Sequence, residues 1–176
     1  MFRKTIFLCV LALSSFCFSV VIHADQYYDQ YTGNSFHPQY SSSAYLRSAD
    51  GTIYHDDIYD EFYFCPVNFS VPDGSTYFIK SIGIRFKDNL DDGYIRVVLR
   101  RMNLYTGNWH AVADWSSGSS AADNFVKTAS QGTETGVKLI DSKKFAYFLY
   151  VTFQRDGSVS PGPNLLLYQV RIHYGT

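Results

Sequence analysis

Apolar residues recur at every second position in run after run of this chain. Phe78, Ile82, Ile84 and Phe86 alternate with Ile79, Ser81, Gly83 and Arg85. Ile95, Val97 and Leu99 alternate with Tyr94, Arg96 and Val98. Leu166, Tyr168, Val170, Ile172 and Tyr174 alternate with Leu167, Gln169, Arg171 and His173. Val67, Phe69 and Val71 form a shorter run of the same kind. A two-residue period sends successive side chains to opposite faces of an extended strand, so each run has one face to bury. No long window carries the stripe of a helix. After Arg100-Arg101 the apolar phase passes to Met102 and Leu104. A slip of one residue turns every following side chain to the other face, so a bulge is expected there. Ala146 to Phe153 is apolar on both phases, which predicts a central strand covered twice.

Turn chemistry separates the runs. Pro72-Asp73-Gly74, Asp91-Asp92-Gly93, Thr106-Gly107-Asn108, Asp156-Gly157 and Pro161-Gly162-Pro163 combine a fixed or positive φ with side chains that bond their own backbone. Thr106-Gly107-Asn108 is read as a hairpin joining 94–105 to 109–115. Short strands at this spacing predict an all-β fold: a single antiparallel β-sandwich of jelly-roll type over residues 45–176. With 46% hydrophobic and 18% charged residues the chain can bury a core, which excludes a disordered polymer. Fifteen Lys+Arg against sixteen Asp+Glu give a net charge of −1, without the basic footprint of a nucleic-acid binder.

The first 24 residues differ from the rest. Arg3 and Lys4 precede an apolar stretch from Ile6 to Ile22, closed by His23-Ala24. This reads as a signal peptide, residues 1–24, and so as a secreted, extracellular or cell-surface protein without a membrane span after cleavage. Cleavage removes Cys9 and Cys17 and leaves Cys65 without an intramolecular partner. Cys65 lies at an apolar strand end and is read as a buried small hydrophobe. Residues 25–44 are rich in Tyr, Gln and Ser and lack a helical period, so they are expected to form an extended N-terminal arm, whose tyrosines could pack along a sheet edge. Such an arm could add a strand to a neighbour's sheet and make a homo-oligomer.

Further motifs carry a likeness. Val97, Leu99, Arg101, Leu104, Thr106, Gly107 and Trp109 fit the pattern V-x-L-x-R-x-x-L-x-T-G-x-W. Asp141, Phe145, Ala146, Tyr147 and Leu149 follow, and Leu167, Val170, Arg171, Ile172 and Tyr174 close the chain. Over about residues 60–174 the chain resembles an uncharacterised group of secreted bacterial β-sandwich proteins, jelly-roll-like in form. The resemblance implies a sandwich and secretion, and it carries over no active site.

Little in the sequence supports catalysis. There is no G-x-S-x-G; the nearest match, Gly118-Ser119-Ser120, is read as part of a flexible loop. Asp56, Asp57, Asp60 and Glu61 crowd one segment but read as a solvated turn entering a strand. Asp88, Asn89, Asp91 and Asp92 offer clustered oxygens and are the candidate calcium ligands; no other cofactor is expected. Trp109 and Trp115 are six apart on one strand, so the period places both on one face, with Ala111 and Ala113 between them. They are the candidate ligand-binding pair, a platform on which a sugar ring could stack. The expectation is therefore a secreted, non-catalytic carbohydrate-binding or adhesion module for an extracellular glycan or protein. The alternatives are a structural subunit of a surface polymer or matrix assembling through its arm, and a polysaccharide-active enzyme.

Overall fold

The alternating runs become strands. The computed structural model describes residues 26–39, 51–55, 60–71, 76–90, 93–118, 123–133, 139–154 and 164–176. Within them lie β1 (Gln26–Thr32), β2 (His37–Pro38), β3 (Ile53–His55), β4 (Glu61–Val67), β5 (Phe78–Asp88), β6 (Tyr94–Asn103), β7 (Trp109–Ser116), β8 (Asp123–Gly132), β9 (Phe145–Gln154) and β10 (Leu165–Gly175). The expected leader at 1–24, the residues Asp56 and Asp57, and the candidate ligands Asp91 and Asp92 lie outside the described residues.

Two antiparallel sheets form. One runs β1-β10-β5-β8, with β3 also paired to β10, and the other runs β2-β4-β9-β6-β7. The chain changes sheet at every step from β1 to β10 except between β6 and β7. Repeated crossing of this kind is what a jelly roll requires, and it sets the inner faces of two sheets against each other. The core between them holds Ile82, Ile84 and Phe86 from β5, and Ile95, Val97 and Leu99 from β6. Leu149, Val151 and Phe153 from β9 and Val170 and Ile172 from β10 pack into the same core. Each fully buried side chain of this size contributes about 1.5–3 kcal/mol. Since no described pair of cysteines exists to crosslink the chain, this burial is its main support; Cys65 is free and buried.

The hairpin forms where Thr106-Gly107-Asn108 placed it. The Asn103 side-chain oxygen accepts the Tyr105 and Thr106 N–H groups at 2.9 and 3.2 Å, and the Asn103 carbonyl accepts Gly107 N–H at 2.8 Å. Gly107 sits at φ +72°, a region that side chains with a Cβ rarely adopt.

The N-terminal segment departs from expectation. Instead of a free arm ahead of the sandwich, residues 26–39 belong to both sheets. All seven residues of β1 pair with β10, from Gln26 opposite Gly175 to Thr32 opposite Gln169. The 3₁₀ turn Gly33–Ser35 then carries the chain to β2, which pairs with β4. Phe36, between them, is wholly buried. A Cβ on Gly33 would lie 2.2 Å from the Gly51 carbonyl oxygen, so the turn seats against the chain entering β3.

Register shifts explain where the alternation misleads. In the β5–β10 ladder Ser81 opposes His173 and Ile79 opposes Tyr174, which leaves Lys80 as an extra residue. Ile79 therefore turns inward and Phe78, expected on the core face, is exposed. Tyr168 is likewise extra on β10, so Leu165 and Leu167 are buried and Leu166 and Tyr168 are not. The slip expected within β6 sits on its partner: β6 pairs without interruption to β9, while Val112 is the extra residue of β7 opposite Leu99–Arg100. Arg101 consequently stays on the inner phase, its guanidinium 4.2 Å from the Phe145 ring centre.

Candidate functional site

The outer face of the second sheet is unusually aromatic. β9 lies between β4 and β6, and the registers set Pro66–Phe148–Arg100, Phe64–Tyr150–Val98 and Phe62–Thr152–Arg96 in successive rows. Their sequence neighbours Tyr63, Cys65, Val67, Val97, Leu99, Leu149 and Val151 point inward and are buried. By period 2 the row residues point away from the core. The second apolar phase of β9 is thus no second core layer, contrary to the expectation of a strand covered twice; Phe148 and Tyr150 face out.

At one corner the hairpin delivers Trp109, the first residue of β7, directly opposite Met102. Trp109 is 51% exposed, and its ring lies 5.4 Å from Phe148 at 51°. Tyr150 is central. Its hydroxyl donates to Gln39 Oε1 at 2.7 Å, its ring stacks 6.1 Å from Phe62, and the Arg100 guanidinium lies 4.8 Å over it. Trp109, Phe148, Tyr150, Phe64, Arg100 and Gln39 line an open depression of about 460 Å³. Arg100 and Tyr150 also line a second depression of about 300 Å³, whose wall includes Asp60, Arg96, Thr152 and Gln154. The two make one groove, aromatic at the Trp109 end and polar at the Gln154 end.

Arg96 is held in place. Its Nε donates to Asp114 Oδ1 at 2.8 Å and its Nη2 bonds the other carboxylate oxygen. That hydrogen bonding raises the Arg96 guanidinium above its usual value, against a smaller opposing effect of burial. Arg100, by contrast, makes an aromatic contact and no ion pair among the described residues.

The two tryptophans are not brought together. Val112 adds one residue between them, so Trp115 turns inward against Phe86, with ring centres 4.7 Å apart, while Trp109 stays outside. The expected shared platform is replaced by Trp109 with Phe148, Tyr150 and Phe64, which the sequence reading passed over. Their signal was present: outward-phase aromatics on β4 and β9, two strands that also supply a full inner phase.

The candidate calcium ligands divide. Asp88 is buried, with Oδ1 accepting Leu90 N–H at 3.1 Å and Oδ2 accepting the Ser117 hydroxyl. Ser117 Oγ in turn accepts Ile95 N–H at 3.0 Å, so Asp88 ties the end of β5 to β6 and β7. Asn89 donates its N–H to the Asn164 carbonyl at 3.0 Å. Among the described residues no cluster of His, Cys, Asp and Glu suits a metal ion. Burial pushes the Cys65 thiol up to about 11, which keeps it protonated and unreactive near neutrality.

No protein-family model and no curated protein matches the chain. Among solved structures it is similar to the xylan-binding module CBM15, at 10% identity and TM-score 0.45, covering 85% of this chain and 97% of that one. It is similar also to a family 11 carbohydrate-binding module from Clostridium thermocellum in complex with a mixed-linked tetrasaccharide. There the identity is 7% and the TM-score 0.41, covering 88% of this chain and 91% of that one. The structure of infectious bursal disease virus gives the same TM-score at 9% identity, covering 87% of this chain and 32% of that one. Likenesses at this level assign no ligand.

Proposed function

We propose that this chain is a secreted, non-catalytic module that binds a glycan in the groove on the outer face of its second sheet. One observation carries the reading: an exposed tryptophan leaning on a row of outward aromatics, beside side chains that hydrogen-bond. A sugar ring presents an apolar C–H face and a polar rim. The electron-rich faces of Trp109 and Phe148 suit the first, and Arg100, Gln39 and Thr152 suit the second. Contiguous exposed apolar surface of this kind marks interaction sites.

Binding without chemistry is favoured over hydrolysis by what lines the groove. Among its described residues Asp60 is the single carboxylate, whereas glycoside hydrolysis in most families uses a pair. Secretion rests on the pattern of residues 1–24. The test is retardation of the full mature chain in gels containing soluble neutral and acidic polysaccharides. Retardation by at least one polymer, lost in Trp109→Ala, supports the reading. Free migration through every gel contradicts it.

A further inference from the structure

We infer that the groove takes an acidic glycan, one bearing a hexuronate carboxylate, and that Arg100 is the residue that reads the acid. The inference rests on the glycan reading above and names its substrate class.

Charge within the groove is unevenly compensated. Arg96 is already matched by Asp114 through two parallel hydrogen bonds. Asp60 precedes Glu61 at the start of β4, and Glu61 opposes Phe153. Arg100 opposes Phe148, five residues back along β9. At about 3.4 Å per residue this separates the two by roughly 17 Å, well outside ion-pair range. Among the described residues, Arg100 is therefore a cation in the aromatic half of the groove with no carboxylate beside it.

Its setting suits a planar anion. Lying over Tyr150, the guanidinium is oriented by its own stacking, which lowers the cost of fixing a long side chain. Its remaining N–H groups form a fork that matches a carboxylate bidentately. Trp109 and Phe148 flank the same depression. A pyranose ring stacked there can present its carboxylate to Arg100 across one strand spacing, about 5 Å. A neutral sugar would leave the positive charge without a counterpart. A sulfated sugar shares the negative charge but not the planar two-oxygen geometry.

The experiment is calorimetric titration of the full mature chain with oligogalacturonate, with the same oligosaccharide after carboxyl reduction, and with dextran sulfate. The expected result is a preference of roughly tenfold to a hundredfold for the uronate over its reduced form, the range of a charge-assisted hydrogen-bonded contact. That preference collapses in Arg100→Gln and is only partly kept in Arg100→Lys, with melting temperatures confirming that both variants fold. Equal binding of the reduced sugar, equal binding of dextran sulfate, or a preference unchanged in Arg100→Gln overturns the inference while leaving the glycan reading intact. Binding of none of the three, together with free migration in the gels, removes both.

Discussion

Trp109, the first residue of β7, touches Phe148 of β9 although β6 runs between their strands. The contact spans β6 with both residues on the outer face, Trp109 opposite Met102 and Phe148 opposite Arg100. Trp115, on the same strand, packs against Phe86 inside. One strand therefore supplies one tryptophan to the surface and another to the core.

These two rings should respond oppositely to truncation. Trp109→Ala removes a half-exposed ring and is expected to cost under about 1 kcal/mol of stability, with glycan affinity lowered tenfold or more. Trp115→Ala leaves a void beside Phe86 and is expected to cost about 2–4 kcal/mol. Urea denaturation and calorimetric titration of each variant separate the effects. The opposite ranking in stability would show that the bulge at Val112 does not sort the rings.

The N-terminal segment should be needed for folding. A chain beginning at residue 45 loses β1, its seven-residue ladder to β10, and the buried Phe36. It is expected to lack a cooperative thermal transition. Gly33→Ala tests the seat alone and should lower the melting temperature, because the added carbon meets the Gly51 carbonyl. A truncated chain that melts like its parent would restore the free arm and its role in assembly.

Asp29 predicts a pH dependence. Burial raises its carboxyl above the usual value, and the hydrogen bond from Tyr174 offsets only part of that. Its second oxygen is buried and has no hydrogen-bond partner among the described residues. The folded chain thus keeps this proton to higher pH than the unfolded chain. Ionisation costs stability as pH rises from the unfolded value through the folded one, and the cost vanishes where both states are protonated. Asp29→Asn should therefore melt above the parent at about pH 7 and level with it at about pH 2.5. A gain of equal size at both pH values would refute the assignment.

Asp88 should act as a structural clasp. Asp88→Ala strands the Leu90 N–H and the Ser117 hydroxyl and is expected to cost about 1–3 kcal/mol. Melting of the parent and the variant with and without a calcium chelator measures this. A loss that appears only when calcium is present would return Asp88 to the role of a ligand.

The sandwich was legible because Ile95, Val97, Leu99, Val170 and Ile172 alternate without interruption. What alternation could not show is where a strand takes in an extra residue. Lys80, Val112 and Tyr168 carry no mark of bulging, since a bulge is chosen by the ladder partner and the twist of the sheet. Each one reversed the face assigned to residues beyond it, and Val112 thereby changed the site. β1 was legible only as an extended segment whose tyrosines could pack along a sheet edge, and not as a strand, for another reason. Its inward phase is Tyr27, Asp29 and Tyr31, polar-tipped groups that suit a sheet edge. There Tyr77 donates to Tyr27 and Tyr174 to Asp29, each at 3.4 Å, so no apolar period advertises the strand. The binding face was written in the outward phase of β9, but a strand apolar on both phases reads equally well as one buried twice.

The most direct measurement uses the fact that the chain has two tryptophans. Their indole N–H groups give two resolvable signals in a nitrogen–proton correlation spectrum, assigned by substituting each in turn. Titration with an oligosaccharide that retards the protein should shift the Trp109 signal progressively and leave that of Trp115 in place. A Trp109 signal that stays fixed while the sugar binds would contradict the account and put the site on another face.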